Sequence, residues 1–143
     1  VIVLDTNVIS EMVKPAPHPA VVRFLRRLNP TQVYTTAICE AEIRFGLARM
    51  EAGKRRIDLT RRIDTFFAVV LQNQVLPFDS ESASLYGEIR SERQASGAPM
   101  EAEDAMIAAT ARAAGATLIT RNVKDFVACG TPVVDPWNEG AAG

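Results

Sequence analysis

Residues 101–122 read EAEDAMIAATARAAGATLITRN. The stretch 101–114 is rich in alanine, the strongest helix former, and Gly115 is the kind of residue that closes a helix. Thr117-Leu118-Ile119-Thr120 then predicts a short strand that ends at Arg121-Asn122. A helix that runs straight into a short apolar strand is the repeating step of an α/β chain. On this helix Asp104 has Ile107, Ala108 and Ala111 three, four and seven residues onward, so it interrupts the apolar face. The alanines on that face allow the helix to lie close against a sheet.

The same alternation continues in both directions. Val1 to Asp5 predicts a strand buried on both faces, with Thr6 or Asn7 capping a short helix through about Met12. Pro15, Pro17 and Pro19 interrupt the chain before a helix from about Ala20, which Asn29-Pro30 stops. Val33-Tyr34-Thr35 is a second strand, and Thr36 caps a helix over about 37–51. A helix over about 55–73, a strand at Val75-Leu76, and a helix capped by Asp79 or Ser80 follow. Val133-Val134 completes the set of strands. The pattern predicts an α/β fold, with a mostly parallel central sheet of about five short strands and helices on both faces. Residues 1–137 are expected to form a single domain, and 138–143 a flexible C-terminal tail.

The chain has 143 residues, 48% of them hydrophobic and 23% charged, with a formal net charge of −1. That balance provides no global attraction to an anionic partner, so such a partner needs a local basic patch. Cys39 and Cys129 are far apart and form no CxxC pair, which points to a reducing, cytoplasmic setting rather than a disulfide framework. No apolar run approaches the roughly 18–20 residues that span a bilayer, so no membrane association is expected.

In a parallel α/β sheet, sites gather at the carboxyl ends of the strands, where Asp5 and Thr120-Arg121-Asn122 fall. Glu42 interrupts the apolar stripe of its own helix, between Ile38 and Phe45 on one side and Cys39 and Gly46 on the other. Three carboxylates, Asp5, Glu42 and Asp104, are therefore predicted to point inward. Uncompensated, each costs several kcal/mol, and their mutual repulsion raises their proton affinity. A divalent cation is the economical remedy. Oxygen-only ligands select Mg²⁺, with Mn²⁺ as a substitute, and one histidine with two isolated cysteines disfavours zinc.

The residues that raise this argument also carry a resemblance. LDTNVIS (4–10), TAICEAEIRFGL (36–47), EDAMIAATARAAGATLITRNVKDF (103–126) and VVDPW (133–137) together resemble the PIN-domain ribonucleases. The likeness is nearest to the VapC toxins of type II toxin–antitoxin pairs, and among them to FitB-like proteins. It implies a compact three-layer α/β/α sandwich with an acidic, magnesium-dependent site that cuts RNA. It also implies a VapB- or FitA-like antitoxin partner and a homodimer, with transfer RNA among the candidate substrates.

Residue by residue, Asp5, Glu42 and Asp104 match the family's acidic positions and are the expected metal ligands. The fourth catalytic position, often an aspartate, is Asn122 here, with Asp125 following in TRNVKD. Thr6, Asn7, Arg121 and Lys124 are candidates for contacting an RNA phosphate. Glu103 is expected to point away from Asp104, and Glu101 to share its side only in part. An aspartyl phosphatase usually needs a second aspartate where Asn7 stands. The remaining alternative is a PIN-like scaffold, weak or inactive in catalysis, that binds RNA or an antitoxin.

Overall fold

Each strand of the central sheet contributes to both of two hydrophobic clusters, and this alternation builds the three layers. The structure is a computed structural model and describes residues 1–138. Its strands are β1 (Ile2–Leu4), β2 (Val33–Thr36), β3 (Val75–Leu76), β4 (Thr117–Ile119) and β5 (Val133–Val134). They pair in the order β3-β2-β1-β4-β5, all parallel. Val3, Tyr34, Leu76, Leu118 and Val133 face one cluster; Leu4, Val33, Val75, Ile119 and Val134 face the other. Neighbouring residues of a strand point to opposite faces, so even two-residue strands serve both layers.

The helices are α1 (Thr6–Met12), α2 (Pro19–Arg26), α3 (Ala37–Ala48), α4 (Lys54–Thr65), α5 (Ser80–Ala95) and α6 (Ala102–Ala113). Residues of α5 and α6 pack in the first cluster, and residues of α1, α2 and α4 in the second. The helix α3 serves both: Ile38 and Cys39 enter the first, Ile43 and Leu47 the second. It therefore crosses the end of the sheet rather than lying flat on one face. That crossing carries Glu42 to the carboxyl ends of the strands.

The boundaries differ from the sequence expectation in instructive ways. Asp5, not Thr6 or Asn7, is the N-cap of α1, accepting a hydrogen bond from the Thr6 amide at 2.8 Å. Pro19 is the first residue of α2, where its missing N–H costs nothing, and the His18 imidazole caps it by accepting from Ala20 N–H at 3.1 Å. The helix expected over 55–73 ends as a regular α-helix at Thr65 and widens into a π-turn over Phe66–Val70. The wider turn keeps Phe66, Phe67 and Leu71 all buried, while Ala68, Val69 and Val70 face outward. Gln72 and Asn73 then take positive φ values of 51° and 58° to turn the chain into β3. Of the expected tail, Asn138 lies just after Trp137 with its amide donating to Asp135; residues 139–143 lie outside the described residues.

Alanine decides how close α6 can come. Ala105, Ala108, Ala109 and Ala111 are completely buried in the first cluster. Replacing Ala108 by Leu is expected to destabilise the protein by about 1–3 kcal/mol, because the added atoms must displace a close-packed neighbour. A lowered urea midpoint with an unchanged m-value is the measurement that checks this.

Candidate active site

The chain leaves β1 at Asp5, and its side chain is the most constrained group at this edge of the sheet. It is 6% exposed. One carboxylate oxygen caps α1 and lies 3.7 Å from Cys39 Sγ; the other accepts the Thr120 hydroxyl proton at 2.7 Å. Thr120 Oγ1 in turn accepts from Asn7 Nδ2 at 3.3 Å and from the Asn122 amide at 3.1 Å. The Arg121 amide donates to Asn7 Oδ1 at 3.2 Å. The ends of β1 and β4 are thus tied side chain to side chain around one carboxylate.

Glu42 from α3 and Asp104 from the first turn of α6 join Asp5 in lining a recess of about 460 Å³. Both are half-buried rather than fully enclosed. Thr6, Asn7, Arg121 and Asn122 line the same recess, as do Trp137, which closes the VVDPW stretch, and Ser10, Glu11 and Lys14, which the sequence did not single out. Asp125 and Lys124 sit on the short 3₁₀ turn Val123–Phe126 and do not line it; Lys124 is exposed. Asp125 still acts at a distance, since its charge raises the pKa of both Asp5 and Asp104.

The carboxylates hold their protons strongly. Burial, opposed by hydrogen bonds from Thr120, Thr6 and Cys39, raises the pKa of Asp5. Burial, then the charges of Asp5, Glu103 and Asp104, pushes Glu42 up to about 7. Burial, then the charges of Asp5, Asp125, Glu101 and Glu103, raises Asp104 to about 6. Glu103, expected to face away, lines an adjoining recess of about 580 Å³ together with Glu42, Phe45, Arg49 and Met106. The packing of α3 against α6, not the geometry of α6 alone, brings those two acids together.

The basic side of the recess is unequal. Lys14 pairs with Glu11 at 2.9 Å, and Glu11 also accepts from the His18 amide at 2.9 Å. Their E-x-x-K spacing, from the last turn of α1 to just beyond its C-cap, is a signal the sequence carried. Arg121 instead lies over Trp137, its guanidinium carbon 4.8 Å from the ring centroid. Cys39 and Cys129 are both free and buried, and burial pushes the Cys39 thiol up to about 11, so neither is poised as a nucleophile.

The donor set suits a hard cation in its chemistry. It is all oxygen, it carries more negative charge than its surroundings neutralise, and Thr6 Oγ1 is buried beside it with no hydrogen-bond partner. It is not a ready-made cage, however: among the described residues no group of three or more His, Cys, Asp or Glu side chains is disposed to hold a metal ion as it stands. Mg²⁺ tolerates this, because it retains several waters and needs only one or two direct carboxylates.

The sequence profile of the PIN domain family matches residues 2–128. The chain belongs to the PIN domain family. Within it, this PIN domain is 40% identical to the VapC ribonuclease Y4jK of Sinorhizobium fredii, over 95% of this chain and 97% of that protein. It is 27% identical to the tRNA(fMet)-specific endonuclease VapC of Shigella flexneri, over 94% and 96% of the two chains. The crystal structure of FitAcB from Neisseria gonorrhoeae superposes with a TM-score of 0.87 at 39% identity, covering 96% of this chain and 99% of that one. These likenesses put the PIN domain among the VapC and FitB toxins, and its α/β/α sandwich with an all-parallel sheet is the architecture that the resemblance implied. Among the described residues, no helix is long and apolar enough to cross a membrane.

Proposed function

We propose that this PIN domain is a metal-dependent endoribonuclease, the toxin of a toxin–antitoxin pair, and that it hydrolyses RNA phosphodiester bonds in the recess of Asp5, Glu42 and Asp104. The observation that carries the reading is that convergence: three acids from distant parts of the chain line one recess, each with a raised proton affinity. Names given to the relatives, a VapC ribonuclease and a tRNA-specific endonuclease, support RNA as substrate and transfer RNA as the first target to try. The solved neighbours named as FitAB and VapBC complexes support an antitoxin of FitA or VapB type as partner. Homodimerisation and a cytoplasmic setting belong to the same proposal.

Asp5, Asp104 and Glu42 are the proposed ligands of Mg²⁺, or of Mn²⁺ in its place, partly through water. When bound, the ion would supply Lewis-acid stabilisation of charge on the phosphate and would lower the pKa of water in the recess. The chain's own groups do the rest. Thr120 and the Thr6 amide orient Asp5 and offset part of the cost of its burial. Glu42, pushed up to about 7 when no cation neutralises it, gives up its proton when it becomes a ligand. Asn122, exposed at the rim, and Asn7 supply amide groups to water or phosphate oxygens. Asp125 contributes charge from outside the recess. The Arg121 guanidinium offers the scissile strand a cation, with exposed Lys124 nearby in sequence.

The test is incubation of the purified chain with total RNA, in Mn²⁺ or Mg²⁺ and in excess EDTA, beside Asp5→Asn. Cleavage by the wild type that both EDTA and the substitution abolish is the expected result. Equal nicking by the two proteins would assign the activity to a contaminant. RNA binding without cleavage in either metal would favour the inactive scaffold.

A further inference from the structure

Trp137 lines the acidic recess although it comes from the last turn described, three residues after β5. Its indole is half-buried and packs against the second cluster, alongside Val134. Its amide donates to Asp135 Oδ1 at 2.8 Å, which fixes the turn that presents it. Arg121 lies across the ring at 4.8 Å, well within cation–π range. The main chain of Arg121 is held as well, by the bond from its amide to Asn7 Oδ1. Asn7 continues through Thr120 to Asp5, so the arginine is tied at its backbone to the catalytic network and at its head to the indole.

This double attachment matters because an arginine side chain ordinarily loses most of its rotamer freedom when a ligand fixes it. A guanidinium already laid on an indole has lost part of that freedom before the ligand arrives. The ring covers one side of the guanidinium, and among the described residues its N–H groups make no hydrogen bond within the protein. Among the described residues Arg121 has no ion-pair partner, whereas Lys14 on the same recess is bound to Glu11. A planar guanidinium at the mouth of an acidic recess is matched to a phosphodiester, whose approach three carboxylates would otherwise oppose.

We propose that Trp137 is a positioning residue for Arg121, and that the pair forms a preset arm that receives a backbone phosphate of an RNA strand at the mouth of the recess. This rests on the nuclease reading of the recess but is separable from it. Trp137 is the chain's only tryptophan, so its emission reports on the pair directly.

The experiment titrates the full chain with a short unstructured RNA in EDTA, where no metal-dependent cleavage occurs, following tryptophan emission and the anisotropy of labelled RNA. Wild type should give a saturable emission change. Arg121→Ala and Trp137→Ala should each bind about ten-fold more weakly, while Trp137→Phe, which keeps an aromatic face, should stay within about three-fold of wild type. Trp137→Ala should cost less than about two-fold when Arg121 is already alanine, because the indole acts through the guanidinium. In the cleavage assay with metal the loss should fall on KM, with kcat nearly unchanged. Thermal unfolding of every variant checks the fold; if Trp137→Ala does not fold, Arg121→Ala and Trp137→Phe still decide. Unchanged RNA affinity in Arg121→Ala, fully additive losses, or a phenylalanine variant as weak as the alanine one would overturn the proposal. Cleavage by a wild type whose Arg121→Ala variant binds and cuts equally well would remove the arm and leave the nuclease. Arg121-dependent binding without cleavage by any form would keep the arm and remove the nuclease.

Discussion

Asp104→Asn is expected to lower metal-dependent RNA cleavage by roughly a thousand-fold, since losing a metal-ligating carboxylate removes several kcal/mol of transition-state stabilisation. The position is favourable for the test. Asp104 stands in the first turn of α6 and accepts none of the described hydrogen bonds that hold the fold, unlike Asp5, which caps α1 and binds Thr120. The amide is nearly isosteric with the carboxylate. It removes one charge from a group whose pKa burial and neighbouring acids have raised to about 6. The metal-free variant should therefore be at least as stable as wild type at neutral pH. A loss of activity accompanied by a lower Tm would instead mean that the substitution acts through misfolding, and Asp104 would lose its assigned role.

The second large effect is a pH dependence that a divalent ion reverses. Glu42 titrates at about 7 in the fold against an ordinary 4.5, and Asp104 at about 6 against 3.8. Between those values the folded protein holds protons that the unfolded chain has released. Stability of the metal-free protein must then fall as pH rises through roughly 4 to 7. The penalty is absent below the unfolded pKa values and complete above the folded ones. Both carboxylates are partly solvated, so the combined loss is discounted to about 1 kcal/mol, or about 3 °C in Tm. Mg²⁺ binds the deprotonated acids, and at a hundred times its Kd it would add about 2.7 kcal/mol. Its stabilisation should therefore be larger near pH 7.5 than near pH 5. Thermal scans at both pH values, with and without Mg²⁺, give the comparison. A Tm that rises with pH in EDTA, or a Mg²⁺ effect independent of pH, would refute the coupling.

Much of this architecture was legible because its signals are local. Strands of two to four residues bounded by Pro, Gly or Asp, and helices capped by Thr36 and Asp79, announce themselves in the chain. The placement of Glu42 and Asp104 on apolar stripes also follows from helical spacing, although both are half-buried and not enclosed, because the recess opens between them. What could not be read depends on where separate elements meet. Glu103 is exposed, as its place on α6 implied, but its charge reaches Glu42 only because α3 packs beside α6. Trp137 gave no sign that it would reach Arg121, since nothing local places the turn after β5 beside the end of β4. Asp125, one turn beyond Asn122, looked suitable for the recess but lies outside its lining, because the intervening residues form a 3₁₀ turn. The π-turn at Phe66–Val70 was hidden for a different reason: its apolar spacing is close to that of an ordinary helix.

The order of the strands has a consequence for how the molecule comes into being. β1 lies at the centre of the sheet, and one of its two neighbours, β4, begins more than a hundred residues later in the chain. The Asp5 carboxylate likewise waits for the hydroxyl of Thr120. A growing polypeptide delivers Asp5 more than a hundred residues before the Thr120 hydroxyl that helps to orient it. Long-range pairing of this kind is paid for in folding time. A nascent chain still tethered to the ribosome, among the densest RNA in the cell, therefore lacks an assembled recess until β4 and Thr120 have emerged.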